Sequence, residues 1–278
     1  MPPPPRSPLD ATALRQALAA RDRAGIPVRL LASTGSTNTE AAAAARSGAA
    51  AGTVVAADHQ AAGRGRLDRR WDSPPSSGLL FSVVVRPAGL PARAWSWLPL
   101  LTGVAVAAAV RAETAVDVGL KWPNDLVVEQ DGQQRKLGGI LCEALPAPEP
   151  EAVAAVLGVG INVDLRADEL PVPAATSLVL AGASPLPREQ LLAAAVASLL
   201  TAYEQWAAHD FDAQASGLHD EYLAACRTLG VLVEVSRPAA PPLRGRAVGL
   251  DRDGSLLVDS AGSTVVVAAG DVVHLRAD

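Results

Sequence analysis

The sequence predicts a mixed α/β domain followed by a small β domain, and three observations support this division. Up to Leu229, apolar strand-like runs alternate with alanine- and leucine-rich helical stretches. After Leu229, short apolar runs are separated by Gly and Asp turns at 251–254 and 260–263, a pattern typical of a small β-barrel of about fifty residues. Prolines at 2–5 predict a partly disordered lead-in. The predicted units are the lead-in over 1–25, the large domain over 26–228 and the β domain over 229–278.

The elements of the large domain follow from hydrophobic periodicity and from the turn residues between the runs. Helices are predicted over 9–23, 39–46, 98–112, 188–209 and 219–229. Strands are predicted over 28–31, 53–57, 79–86, 125–128, 136–143 and 153–163. Ser36, Thr37 or Asn38 is expected to cap the helix that follows, since such side chains bond free N–H groups. The Asp131-Gly132 pair predicts a hairpin between two of the strands.

Composition limits the classes of function. The net charge of −5 argues against a dedicated nucleic-acid binder, whose domain would usually be basic. Two cysteines provide neither a disulfide framework nor a metal knuckle, and they fit a reducing compartment. The N-terminus has no apolar core of a signal peptide, and the longest apolar run, 95–110, is too short to span a membrane comfortably. These features predict a cytoplasmic protein that binds neither nucleic acid nor membranes.

Positive charge is concentrated in the segment 59–71, HQAAGRGRLDRRW. Its arginines offer forked donors that match carboxylate or phosphate oxygens, and its glycines let backbone N–H groups approach an anion closely. The segment therefore predicts an anion site, although a solvated surface loop fits the charge alone equally well. Trp71, taken as an exposed-loop aromatic that can stack on a purine ring, favours the anion site modestly.

Three further polar clusters carry weaker signals. The segment 121–125, KWPND, is expected between a helix and a strand, where its side chains could meet a phosphate and its Mg²⁺; an ordinary capped turn is the simpler local interpretation. Lys136 opens a strand that glycines interrupt, which fits either a ligand approaching the sheet or a surface lysine before a bulge. Asn162 lies in an apolar strand, where a buried amide needs a hydrogen-bond partner, structural or ligand.

The order and spacing of these clusters carry more information than any one of them. The series S-T-N, Q-x-x-G-R-G-R-x-x-R-x-W, K-W-P-N-D, K-L-G-G-I and G-x-G-I-N resembles the catalytic core of biotin protein ligases over about 30–165. The β-rich tail resembles the small SH3-like C-terminal domain of that family. The resemblance implies an α+β fold, a mixed sheet with flanking helices like that of class II aminoacyl-tRNA synthetases. It makes 26–228 the catalytic biotin- and ATP-binding domain.

The resemblance also implies an activity. The enzyme would use MgATP to activate biotin as biotinyl-5′-AMP. It would then transfer biotin to a lysine of a biotin carboxyl carrier domain, expected to belong to an acyl-CoA carboxylase. Related alternatives are a lipoate or octanoate ligase, whose R-R-x-x-G-G-G run is absent, and a non-enzymatic biotin-binding module. A biotin-sensing repressor is not expected, because the proline-rich segment before Ser36 is too short for a DNA-binding domain.

The residue roles that the resemblance implies fall into four groups. The catalytic residues would be Arg66, Lys136 and Lys121. Biotin would be bound by Ser36, Thr37, Asn38, Gln60, Gly63, Arg64, Gly65, Arg66, Lys136, Gly139 and Gly158. ATP and the adenylate would be bound by Arg64, Arg66, Arg69, Trp71, Lys121, Asn124 and Asn162, with Trp71 packed on adenine. Asp125 would be a ligand of Mg²⁺. One departure is Asp68, where many members of the family have glycine.

Overall fold

The structure is a computed structural model that describes residues 6–67, 69–145, 153–237 and 240–275. Its helices are α1 (Ala11–Ala19), α2 (Thr37–Arg46), α3 (Trp97–Thr114), α4 (Arg188–Ala208) and α5 (Leu218–Ala225). The strands of the large domain are β1 (Val28–Leu31), β2 (Val54–Ala57), β3 (Gly63–Arg64), β4 (Arg70–Trp71), β5 (Gly78–Val85), β6 (Val118–Lys121), β7 (Asp125–Gln130), β8 (Gln133–Leu145) and β9 (Ala154–Asn162). Those of the C-terminal domain are β10 (Leu232–Arg237), β11 (Ala240–Leu250), β12 (Leu256–Ser260), β13 (Ser263–Val267) and β14 (Asp271–His274).

A seven-stranded mixed sheet forms the centre of the large domain, in the order β1-β2-β5-β9-β8-β7-β6. β1 and β2 are parallel, and the other neighbours are antiparallel. Side chains alternate between the two faces of a strand. On β5, Phe81 and Val83 therefore face the main core with α3 and α4, whereas Val84 packs against α2. The predicted α+β class with a mixed sheet and flanking helices is confirmed.

Most elements lie where the sequence predicted them, with four differences. The sequence missed β6, so KWPND forms the turn between two strands rather than a link from a helix to a strand. The arginine-rich segment contains a short hairpin of β3 and β4, the arginine hairpin. Thr37 and Asn38 lie inside the first turn of α2, and Ser36 at its N-cap forms no side-chain capping bond, so the expected cap was wrong. The first and last helices end earlier than predicted, at Ala19 instead of 23 and at Ala225 instead of 229.

The described part of the lead-in packs on the large domain. Leu14 and Leu18 of α1 are buried in the main core, and Arg6 forms ion pairs with Asp164 and Glu169. The prolines at 2–5 lie outside the described residues, and the domain limits stay a prediction.

The C-terminal domain is an antiparallel five-stranded sheet in the order β13-β12-β11-β10-β14, and its likeness to an SH3 barrel stays a prediction. Two indoles of the large domain hold it in place. Trp97 Nε1 donates to Arg252 O at 3.0 Å and Trp122 Nε1 to Gly254 O at 3.1 Å. This docking brings the start of β14 to the KWPND turn and to the arginine hairpin.

The helices in the described parts of the chain are too short or too polar to span a membrane.

Candidate active site between the sheet and the arginine hairpin

A cavity of about 460 Å³ lies where the sheet, the arginine hairpin, the KWPND turn and β14 meet. Its floor is the face of the sheet that carries Gly139 and Leu141 of β8 and Gly158, Gly160 and Asn162 of β9, since alternate residues of a strand share a face. The predicted site residues that line it are Ser36, Thr37, Asn38, Gln60, Arg64, Gly65, Arg66, Arg69, Trp71, Lys121, Asn124, Asp125, Lys136, Gly139, Gly158 and Asn162. The sequence-predicted groups are thus brought together from five separate segments.

Gly63 is the one predicted residue that does not line the cavity. It pairs with Trp71 in the hairpin, and a Cβ at this position would lie 2.3 Å from Trp71 O. The glycine is therefore needed for the close approach of β3 and β4 rather than for a contact with ligand.

One end of the cavity is a network of hydroxyl and amide groups. Gln60 Oε1 accepts hydrogen bonds from Thr37 N at 2.7 Å and from Thr37 Oγ1 at 3.0 Å. Ser82 Oγ lies 2.9 Å from Thr37 Oγ1 and donates to Asn38 Oδ1 at 2.7 Å. Ser82 is fully buried in the otherwise apolar β5. A buried hydroxyl group must find partners, and here its partners are two residues of the S-T-N cluster.

Three hydrogen bonds and a close contact with Gly158 fix the Asn38 amide. Its Nδ2 donates to Leu141 O at 3.0 Å and to Glu143 Oε2 at 2.6 Å. A Cβ on Gly158 would lie 1.9 Å from Asn38 Oδ1, so only glycine leaves room for the amide. The two residues belong to α2 and β9, and their contact fixes the helix on the sheet beside the cavity.

The opposite end of the cavity is cationic. Arg66 donates to Asn124 Oδ1 at 3.2 Å and to Gly270 O at 3.4 Å. Burial lowers the pKa of Arg66, and this effect is the largest on that group. In the described portion of the chain, no carboxylate forms an ion pair with Arg66. Its neighbour Arg69 is more exposed and forms an ion pair with Asp271 of β14.

Two lysines complete the cationic end. Burial lowers the pKa of Lys121, an effect that Asp125 partly offsets by raising it. Lys136 Nζ lies 2.6 Å from Asp125 Oδ1. Asn124 Nδ2 donates to Ile140 O at 2.8 Å, which fixes the KWPND turn on β8. Cations in a partly buried cavity attract anions more strongly than cations in water.

Trp71 and Asn162 lie on the floor between the two ends. The Trp71 ring is half-buried on β4 rather than on an exposed loop, and it packs over the backbone of β8 and β9. A Cβ on Gly160 would lie 2.7 Å from this ring. Asn162 Nδ2 donates to Thr176 O at 2.9 Å. Trp71 Nε1 is buried without a hydrogen-bond partner among the described residues.

Several residues of the site were not predicted from the sequence. Ser82 had a signal, since it is the one hydroxyl in the run GLLFSVVV and a polar atom there needs a partner. Gly160 is the second glycine of the G-x-G-I-N motif, and the resemblance assigned it no role. Asp271 and Glu143 had no local signal, because their partners are distant in sequence. Asp68 lies outside the described residues.

The fold and the site together define a class of protein. Comparison with models of protein families identifies this class as protein ligases. The model of the biotin/lipoate A/B protein ligase family matches residues 30–162, and that of the biotin protein ligase C-terminal domain matches residues 228–275.

The relatives narrow this class. The chain is 39% identical to the biotin–[acetyl-CoA-carboxylase] ligase of Mycobacterium tuberculosis over 98% of this chain and 97% of that protein. It is 30% identical to the bifunctional ligase/repressor BirA of Bacillus spizizenii, covering 82% of this chain and 68% of that one. The chain belongs to the biotin protein ligases.

Solved structures agree. The biotin protein ligase of Aquifex aeolicus in complex with biotin and ATP superposes with a TM-score of 0.72 at 25% identity, over 90% of this chain and 99% of that one. The ligase of Leishmania major in complex with biotinyl-5-AMP shares the fold, with a TM-score of 0.59 at 23% identity.

Proposed function

We propose that the chain is an ATP-dependent ligase that converts biotin into biotinyl-5′-AMP and attaches biotin to a lysine of a carrier protein. The acceptor is a biotin carboxyl carrier domain of an acyl-CoA carboxylase. One observation carries the proposal: a single cavity joins a polar hydroxyl and amide end to a cationic end. The relatives support it, since the M. tuberculosis protein is a biotin–[acetyl-CoA-carboxylase] ligase.

The first step brings two anions together. A biotin carboxylate oxygen attacks the α-phosphorus of ATP, the bond to the bridging oxygen breaks, and pyrophosphate leaves with the electron pair. Arg66, Lys121 and Lys136 surround the cavity and neutralise this repulsion. Arg66 is the best prepared of the three, because among the described residues its guanidinium is held only by the neutral acceptors of Asn124 and Gly270.

The second step transfers the acyl group. The acceptor amine attacks the carbonyl carbon of the mixed anhydride, the bond to the phosphate oxygen breaks, and AMP leaves. The amide forms when the amine nitrogen loses its proton. The arginine hairpin lies over the floor of the cavity and limits access of water to the anhydride. In this step the same cations stabilise the phosphate of the leaving AMP.

Magnesium would enter the cavity mainly as an ion bound to ATP. The described residues contain no group of three or more His, Cys, Asp or Glu side chains that could hold a metal ion. Asp125 supplies a hard oxygen ligand, although Lys136 already lies 2.6 Å from it. One carboxylate together with phosphate oxygens and water is a usual environment for Mg²⁺. Asp125 would hold the ion in this way, and the ion would neutralise phosphate charge.

The polar end favours biotin over a lipoyl or octanoyl group. Ser36, Thr37, Asn38 and Gln60 place amide and hydroxyl groups on the cavity wall. An aliphatic tail would leave such groups without partners, which costs free energy. The ureido ring of biotin can donate and accept hydrogen bonds with them. A module that only binds biotin could use one cation for the biotin carboxylate, but the remaining cations at the other end would have no role.

The test is to incubate the purified chain with biotin, MgATP and a carrier domain, and to measure the mass of the carrier. The expected result is one biotinyl adduct that requires ATP and disappears when the acceptor lysine is replaced by arginine. Parallel incubations contain lipoate or octanoate. An adduct with these acids but not with biotin would contradict the proposed substrate. Biotin binding without an adduct or pyrophosphate release would indicate a binding module.

A further inference from the structure

We propose that Glu143 is a positioning residue that joins the biotin-binding end of the cavity to the arginine hairpin. This inference rests on the proposed function and deepens it. Glu143 lies on β8, on the same face as Gly139 and Leu141 because side chains two positions apart share a face. It does not line the cavity itself. It acts through the two cavity residues that contact it.

A single oxygen of Glu143 holds both partners. Glu143 Oε2 accepts a hydrogen bond from Asn38 Nδ2 at 2.6 Å and forms an ion pair with Arg64 at 3.0 Å. Asn38 comes from α2, and Arg64 comes from β3 of the arginine hairpin. Charge-assisted hydrogen bonds are short and stronger than neutral ones. The carboxylate therefore sets the distance between the helix and the hairpin.

The contact also fixes which way the Asn38 amide points. Ser82 donates to Oδ1, while Leu141 O and Glu143 accept from Nδ2. The two donors of Nδ2 and one lone pair of Oδ1 are thereby used within the protein. One lone pair of Oδ1 stays available towards the cavity, so Glu143 fixes the direction in which Asn38 presents it to biotin.

This assignment identifies the groups that remain for the ligand. Ser36 Oγ and Gln60 Nε2 form no hydrogen bond with another residue in the described ranges, and both residues line the cavity. Thr37 is held between Gln60 and Ser82. Glu143 and Ser82 thus hold Asn38 and Thr37 in place, so that Ser36 Oγ, Gln60 Nε2 and the free lone pair of Asn38 Oδ1 face biotin.

A role in folding alone does not account for the pair. The side chain of Glu143 is 30% exposed and that of Arg64 is 49% exposed, and exposed ion pairs contribute little to folding stability. Orientation of a ligand-binding group is more sensitive, because an angstrom of displacement suffices to lose catalysis. Loss of the carboxylate should thus change biotin binding more than it changes stability.

The experiment compares Glu143→Gln and Glu143→Ala with the wild type, with Glu129→Gln on the neighbouring β7 as a control. Glu129 is an exposed carboxylate that does not line the cavity. Biotin binding is measured by calorimetry without ATP. The KM values for biotin and for ATP are measured separately, and thermal unfolding is recorded for each variant.

We expect the KM for biotin to rise about tenfold in Glu143→Gln, the effect of weakening one charge-assisted contact. A larger rise is expected in Glu143→Ala, which also loses the acceptor for Asn38. The KM for ATP, kcat at saturating biotin and the Tm should stay close to those of Glu129→Gln. Adding Asn38→Ala to Glu143→Ala should cause little further loss, since the two residues act as one unit.

A KM for biotin that stays within about twofold of the wild type in both variants would overturn the inference. So would equal rises in both KM values with a lowered Tm, because that pattern indicates a purely structural role. If the wild-type chain itself does not bind biotin, the proposed function fails, and this inference fails with it.

Discussion

The two ends of the cavity are built in different ways. The hydroxyl and amide end is formed by α2 and the sheet, and Thr37, Asn38 and Ser82 in it are buried and hydrogen-bonded to one another. The cationic end lies where the two domains meet, and Arg69 there pairs with Asp271 of the C-terminal domain. One end is complete within a single domain, and the other depends on contacts that a ligand can replace.

This difference between the two ends explains how one cavity can serve two substrates. Buried polar groups with satisfied partners form a rigid template, which suits recognition of an uncharged ring. Exposed ion pairs have a small net free energy, so an incoming phosphate can take the place of a carboxylate at small cost. We therefore expect substitutions at the two ends to affect different substrates.

The largest loss of activity is expected when a cation that faces the reacting anions is removed. Arg66→Ala and Lys136→Ala should each slow pyrophosphate release at least about 100-fold, since each removes a preorganised charge from the reacting anions. Arg46→Ala is the matched control, because Arg46 is exposed at the end of α2. Pyrophosphate release by either variant at the rate of the control would break the assignment of the cationic end.

One added methyl group should disrupt the hydroxyl and amide end of the cavity. A Cβ at Gly158 would lie 1.9 Å from Asn38 Oδ1, so Gly158→Ala forces the amide to move. We expect the KM for biotin to rise about tenfold or more and the free energy of unfolding to fall by about 1–3 kcal/mol, as in other overpacked sites. The KM for ATP should change much less. Titration with biotin and chemical unfolding measure the two effects, and unchanged biotin binding would show that this end is not rigid.

Much of this site could be predicted because its residues lie in short segments with strong local patterns. The arginine and glycine spacing of 63–66 and the lysine before Gly138-Gly139 are each compatible with an anion site. The order of all the motifs, through the family resemblance, selected that interpretation over a plain surface loop. Nearly unbroken apolar runs such as those of β5 and β9 predict strands that are buried on both faces. The sheet then brings these segments together, and the cavity contains nearly every predicted residue.

The rest depends on contacts between distant segments. Asp271 and Arg69 are separated by most of the chain, and neither has a local pattern that indicates the other. The strand β6 was missed because VGLK is short and contains a glycine, which disfavours strand prediction. The hairpin of β3 and β4 has two residues in each strand, too few for a period. Such features follow from tertiary packing, which overrides local propensity.

Loss of the ion pair between Arg69 and Asp271 should have a smaller effect, and it should improve ATP binding. Asp271→Asn frees Arg69 for the nucleotide and removes a negative charge from the cavity wall. We expect the KM for ATP to fall about twofold to fivefold at low salt, in keeping with the modest strength of exposed pairs, and the difference to shrink at high salt. The KM for biotin should not change. A rise in the KM for ATP would mean that Asp271 positions Arg69 rather than competing with the nucleotide.

The smallest predicted effect is a dependence of folding stability on pH, which arises from His274 where the two domains meet. His274 lies beside Thr228, whose Oγ1 also accepts from Trp122 N at 3.1 Å in the KWPND turn. Burial, with a further contribution from Lys121, lowers the pKa of His274 to about 4. The unfolded chain binds this proton near pH 6.5, so the stability that the neutral imidazole contributes is present above pH 6.5.

That stability should be lost as the pH falls from 6.5 towards 4, because the unfolded state then binds more protons than the folded state. We expect the free energy of unfolding of the wild type to fall by about 1–2 kcal/mol more over this interval than that of His274→Gln. The measurement is denaturant unfolding at a series of pH values. Parallel curves for the two proteins would show that the docking of β14 on the KWPND turn is not sensitive to this proton.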